Sequence, residues 1–353
     1  MRFGTYYFLQ APPAVSHPDV VHGELEQIVW TEELGFDSIW LTEHHFIEYG
    51  LSVSPAILAT AAAMRTQRVR IGLAAAILPF HDPIRLAEEL AMVDILSGGR
   101  LDVGVGRGNR PVEFEGYRVP QIESRERFDE TLAILIRAWT AERFSFEGRY
   151  FTIPEVRVIP KPLQQPHPPL YTVCVSPDTI EATALRGLPM LNSILRGPVD
   201  QLVAQRDTYV KACKKAGRSE EETAALLKRW GVSRHIYVAS SDAQARAEAR
   251  DAEMWYQDAL RRFLVPDDIE RVHPLLQPGF RTLAERMGHI SWEQLVAETL
   301  AVGSPDTVAD KIAEMQCLGV GEVLCWMNFG GLPQAHVRRS MELFAREVMP
   351  RFR

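Results

Sequence analysis

Three short runs of this sequence combine residue types that can carry chemistry. Glu43-His44-His45-Phe46 sets two imidazoles beside a carboxylate. Imidazole titrates near pH 6.5, so a histidine held at a site works as base or acid at neutral pH. Gly104-Val105-Gly106-Arg107-Gly108-Asn109 supplies small residues that let backbone approach a flat or anionic ligand, and Arg107 can fork two hydrogen bonds onto a phosphate. Ser176-Pro177-Asp178-Thr179 reads as the first turn of a helix, where free N–H groups and the dipole favour an anion. Ser176 and Thr179 together with Arg107 would close a monophosphate site. Each run also has a plainer reading: turn glycines and a surface arginine, a simple capping pair, a loop or core histidine. A dinucleotide fingerprint is not supported, because its third glycine would fall at Asn109. Metal is not expected either. Neighbouring residues at a strand end point in opposite directions, and no further His or carboxylate cluster has ligand spacing.

The elements that must position these runs alternate between short β-rich stretches and amphipathic helical ones. Strands are expected at residues 3–9, 37–42, 69–76, 100–105, 170–175, 189–194, 231–238 and 322–328. Helices are expected at 23–34, from Ser54-Pro55 onward, and at 83–96, 125–140, from 176 onward, 199–216, 242–256 and 333–348. Eight such repeats predict an α/β fold, a (β/α)8 barrel forming a single domain over residues 1–353, with insertions after strands four and seven. The first insertion comprises a loop over 106–123 and a small hairpin over 144–153. The second spans 258–291, where Pro266, Pro274, Pro278, Gly279 and Gly288 break the rhythm. A connection of that length marks a mobile lid or a structured insertion that packs on a partner. In a barrel of this kind the active site forms at the C-terminal ends of the strands. The three runs above fall at such ends, as does Ala74-Ala75-Ala76 after strand three.

Composition narrows the function further. The 353 residues are 46% hydrophobic and 24% charged, which suits an ordinary globular core, and a formal net charge of −7 offers no basic footprint for nucleic acid. The amino-terminal apolar run is too short for a signal peptide, and no stretch of eighteen apolar residues is found, so the protein is expected in the cytoplasm, away from membranes. Cys174, Cys213, Cys317 and Cys325 lie far apart without a C-x-x-C pair and read as buried free thiols.

Taken together, the run from Gly35 to Phe46, Ala74-Ala75 with Leu78-Pro79, Gly99-Arg100, Arg107-Gly108 and the closing Val348-Met349-Pro350 resemble the luciferase-like flavin monooxygenases, in particular the α subunit of bacterial luciferase. The resemblance implies a two-component monooxygenase. FMN, delivered as FMNH2 by a separate flavin reductase, would react with O2 through a C4a-(hydro)peroxyflavin and oxygenate a small-molecule substrate. It further implies that Arg107, the backbone of Asn109, Ser176 and Thr179 hold the FMN phosphate. Ala75 and Val173 would flank the isoalloxazine, Gly106 would lie beside it, and a cis peptide would join Ala74 to Ala75. His44 would be the catalytic acid/base and the assembly a homodimer. Luciferase carries a Cys at the position of Gly106, a Glu at Val175 and a Trp at Ile194, so neither its long-chain aldehyde nor its light is implied. Two other readings stay open: hydride transfer with the deazaflavin F420, and a non-catalytic flavin-binding partner subunit.

Overall fold

The computed structural model describes residues 1–194 and 196–353. Eight parallel strands close a barrel: β1 (Arg2–Tyr7), β2 (Ser38–Leu41), β3 (Arg70–Ile77), β4 (Leu101–Gly106), β5 (Leu170–Val173), β6 (Met190–Ser193), β7 (Gly231–Val238) and β8 (Glu322–Trp326). Neighbours pair in sequence order from β1 to β6. The ring closes through β6–β7, β7–β8 and β8–β1. Strands covered on both faces must be apolar almost throughout, and β2, β4, β7 and β8 are buried at every residue. Inside the barrel the Trp40 indole occupies the space that Gly72 leaves, and a Cβ at Gly72 would overlap its ring.

The N-terminal mouth is closed by polar pairs. Arg2 Nη2 meets Glu322 at 2.7 Å and Arg70 Nε meets Asp102 at 2.5 Å, while Ser38 and the Trp40 indole N–H also donate to Glu322. With those charges satisfied at one end, the C-terminal mouth is left for chemistry.

Helices fall between the strands as the alternation predicts, with several differences. The first helix begins at His17 rather than residue 23, because Ser16 caps it by accepting from Asp19 N and Pro18 suits its first turn. The stretch 106–123, read as loop, contains a helix at Pro111–Tyr117, with Pro at its start and Arg118 ending it in the left-handed region at φ 55°. Two turns are too few for a period to register in sequence. The breaks expected throughout 258–291 are also too many. The helix Asp242–Leu264 runs on past residue 256, and Gln277–Arg286 is helical because Pro278 sits in its first turn, where no N–H is needed. A helix at Glu220–Leu227, a short strand at Ala301–Gly303 pairing with the end of β7, and the helix Pro305–Cys317 were not anticipated. Strand β5 stops at Val173, two residues early, as the chain turns into the cap of the next helix. Three cysteines are buried free thiols, but Cys317, at the end of its helix, is exposed.

Candidate active site

His44 follows β2 at the C-terminal mouth. Its Nδ1 lies 3.0 Å from Glu113 Oε1, its ring stacks on Phe8 at 5.3 Å and 26°, and Tyr49 stands edge-on at 5.2 Å. Glu113, on the helix Pro111–Tyr117, is buried and also accepts from His45 N at 3.1 Å. A carboxylate on Nδ1 makes that nitrogen the proton carrier and leaves Nε2 as the basic atom. Burial pulls the His44 imidazole below its ordinary range, with the charges of Arg110 and His45 adding to the effect, against the upward pull of Glu113. The ring is therefore neutral at pH 7 and ready to accept a proton.

His45 points the other way, as alternation at a strand end requires. Both of its nitrogens are engaged, Nε2 with Glu43 Oε1 at 2.9 Å and Nδ1 with the Tyr117 hydroxyl at 3.0 Å. Glu43 is shared with His81 at 2.9 Å and accepts from Ile77 N at 2.8 Å. Burial alone would push the Glu43 carboxyl up, but these hydrogen bonds hold it low, and the His81 imidazole is correspondingly raised. The cluster clamps the loop after β2 to the end of β3. It fixes where His44 stands.

The end of β3 is irregular, with its register against β4 shifting between Leu73 and Ala76. The Ala74–Ala75 peptide is cis, as the resemblance implies, and the Tyr6 hydroxyl donates to Ala74 O at 2.8 Å. Across from it, a Cβ on Gly106 would lie 3.1 Å from Ala75 Cβ and 3.2 Å from Ile77 Cδ1. Glycine at this position keeps open the surface beside Ala75.

Arg107, Val173 and Thr179 line one small cavity together with Arg125, Thr172 and Arg186. Thr179 Oγ1 meets Ser176 Oγ at 2.9 Å in the first turn of the helix Pro177–Arg186. Burial lowers the Arg107 guanidinium pKa, and the like charge of Arg125 lowers it further, against weaker pulls from Asp178 and Asp129. Thr172 Oγ1 is buried without a hydrogen-bond partner among the described residues. Three arginines, one of them paired with Asp129, share this cavity with an unsatisfied hydroxyl, a lining that fits the phosphate of a cofactor. Asn109 is exposed and does not line this cavity.

Sequence reasoning missed Glu113, Arg125 and Thr172. Glu113 was hidden by the loop assignment, although an acidic residue two positions after a proline is a helix-start signal. Arg125 opens a long helix, where a cation opposes the dipole, a mismatch that could have marked it.

Comparison with known proteins places the chain in a family. The sequence profile described as luciferase-like monooxygenase matches residues 1–322, and the chain belongs to that family. It is 26% identical over 368 residues to the oxygenase component of a flavin-dependent trigonelline monooxygenase of Acinetobacter baylyi, covering 100% of this chain and 96% of that one. Similarity to the alkanal monooxygenase alpha chain of the Kryptophanaron alfredi symbiont is also 26%, over 99% and 98% of the two chains. Among solved structures, monooxygenase RslO1 from Streptomyces bottropensis superposes with a TM-score of 0.83 at 28% identity, covering both chains fully.

Proposed function

We propose that the protein is the oxygenase component of a two-component, FMNH2-dependent monooxygenase acting on a small organic molecule in the cytoplasm, with a separate flavin reductase as transient partner. When bound, reduced FMN would supply the electrons that activate O2. Arg107 and Thr179, with Ser176 bonded to Thr179, would hold its phosphate, and Arg125 would add a further cation. Ala74, Ala75 and Val173 would flank the ring, with Gly106 keeping the approach clear. His44 exchanges a proton with the substrate at Nε2, held in its tautomer by Glu113. The segment 258–291 acts as the lid that keeps water from the reacting atoms. Arg196, just after β6, links this lid to the barrel, donating to Gly288 O at 2.7 Å and to Gln257 Oε1 at 2.8 Å.

A homodimer accords with the molecular surface. Ile57 on one helix and Met64 at its C-cap, with Met92, Ile95 and Leu96 on the neighbouring helix, are exposed apolar side chains.

The observation that carries this reading is the presence, at the strand ends of one mouth of the barrel, of a carboxylate-oriented histidine, the cis Ala74–Ala75 peptide and a cavity lined by Arg107, Arg125 and Thr179. The test is an anaerobic titration with FMNH2 and with reduced F420, followed by exposure to 18O2 with a panel of aldehydes, ketones and aromatics. Tight FMNH2 binding and one labelled oxygen atom in a product are expected. Preference for F420 with hydride transfer and no label, or flavin binding without any turnover, would overturn it.

A further inference from the structure

A buried guanidinium that meets Tyr49 but no carboxylate points to the kind of substrate the site takes. Arg110 is only 4% exposed, yet its Nε and Nη1 atoms are buried with no hydrogen-bond partner among the described residues. No carboxylate pairs with it there either. Glu113, one turn along the same helix, is already committed to His44 Nδ1 and His45 N. The other buried arginine, Arg234, donates from Nε to Thr299 O and from Nη1 to Lys311 O, each at 2.8 Å, which leaves only its Nη2 without a partner. A buried guanidinium with idle donors is costly, because the water it has lost is not replaced.

The position of Arg110 gives that cost a use. Its guanidinium lies 4.5 Å from the Tyr49 ring centroid, and His44 lies 5.2 Å from the same ring. Tyr49 packs on Tyr256 at 5.7 Å, with the two hydroxyls 3.3 Å apart, and the charge of Arg110 is also felt at Tyr6, whose hydroxyl bonds Ala74 O. Arg110 therefore faces the aromatic wall beside His44, on the β1–β2 side of the mouth. The phosphate cavity lies apart from it, and Arg107, Arg125 and Arg186 already supply cations there.

We propose that Arg110 is the specificity-determining residue that binds a carboxylate on the substrate, so that the substrate is a small organic acid held with its reacting carbon near His44 Nε2. This rests on the flavin-oxygenase reading above. A planar guanidinium fork matches a carboxylate, and a low-dielectric, water-poor setting strengthens the pairing. A site built this way rejects the neutral analogue, which leaves the guanidinium unpaired.

The test uses calorimetric titration of the full-length protein, with and without FMN, against benzoate, cinnamate and hexanoate, each paired with its amide. At least one acid is expected to bind the wild type tenfold or more tightly than its amide. Arg110→Met should reduce that preference to twofold or less, with FMN affinity unchanged, and Arg110→Lys, which keeps the charge but not the fork, should retain part of it. If Arg110→Met does not fold, as judged by circular dichroism, the lysine variant carries the comparison. No preference in the wild type, a preference that survives in both variants, or a tenfold loss of FMN affinity in Arg110→Met with the acid preference intact would each overturn the inference. Because acid binding is read separately from flavin binding and turnover, its failure is distinguishable from failure of the oxygenase reading.

Discussion

His44 and Glu113 are 69 residues apart in sequence and 3.0 Å apart in space, and the proton transfer proposed for the site rests on that contact. Replacing His44 by Ala should lower kcat by ~10²–10⁴-fold while leaving FMN binding intact, since only the proton relay is removed. The pH profile carries a sharper expectation. Because the His44 imidazole sits below its ordinary value, the acidic limb of kcat/KM should fall below pH 6.5, where the ring protonates and ceases to be a base. Glu113→Gln removes the upward pull, so the limb should move to still lower pH while kcat falls. An unmoved limb would show that Glu113 does not act through His44. At the phosphate cavity, Arg125→Ala should weaken FMN binding about tenfold, or ~1.4 kcal/mol, with a reduced salt dependence, as read by fluorescence titration. The arginine and histidine at the strand ends were legible from residue type alone. Glu113, Arg125 and Arg110 were not, because their partners are set by tertiary contact.

At the scale of elements, the first helix is tied to the chain just after β1 by a buried carboxyl group. Glu24 accepts from Leu9 N at 3.0 Å and from Asn328 Nδ2 at 3.3 Å, and burial pushes its pKa up to about 8. A folded-state value above the unfolded ~4.3 means that the native state holds the proton longer. The stability this group contributes is complete below the unfolded value and declines as pH rises toward about 8. Relative to wild type, Glu24→Gln should therefore gain stability across that window and level off above it. Parallel stability curves from thermal melts at successive pH values would refute this. The lid is the other element with a measurable role. Arg196→Ala removes its bond to Gly288, so oxygen consumed without product should rise, measured as hydrogen peroxide released per product formed. Periodicity and capping residues made most of the barrel helices legible, since these run for nine residues or more. Pro111–Tyr117 and Glu220–Leu227 are too short to show a period.

For the whole molecule, the exposed apolar side chains on Pro55–Ala63 and Pro83–Leu96 set the expected assembly. Ile57→Asp with Ile95→Asp should convert a sedimentation species of two protomers into one, because charge on a face that must lose water opposes association. A wild type that sediments as one protomer would remove the dimer from the proposal. The sequence by itself determined the barrel, because parallel strands covered on both faces must be apolar and their crossovers must be amphipathic, and the order of strands then follows from short right-handed connections. It also determined that His44, Arg107, Ser176 and Thr179 stand at strand ends, since position in a β/α repeat decides the mouth to which a residue belongs. Only the tertiary structure decided which of these meet. It brought Arg107 and Thr179 to one cavity with Arg125, left Asn109 outside it, gave His44 its carboxylate and left Arg110 without one. Such pairings depend on side-chain directions and distances across separate repeats, and these arise only when the barrel closes.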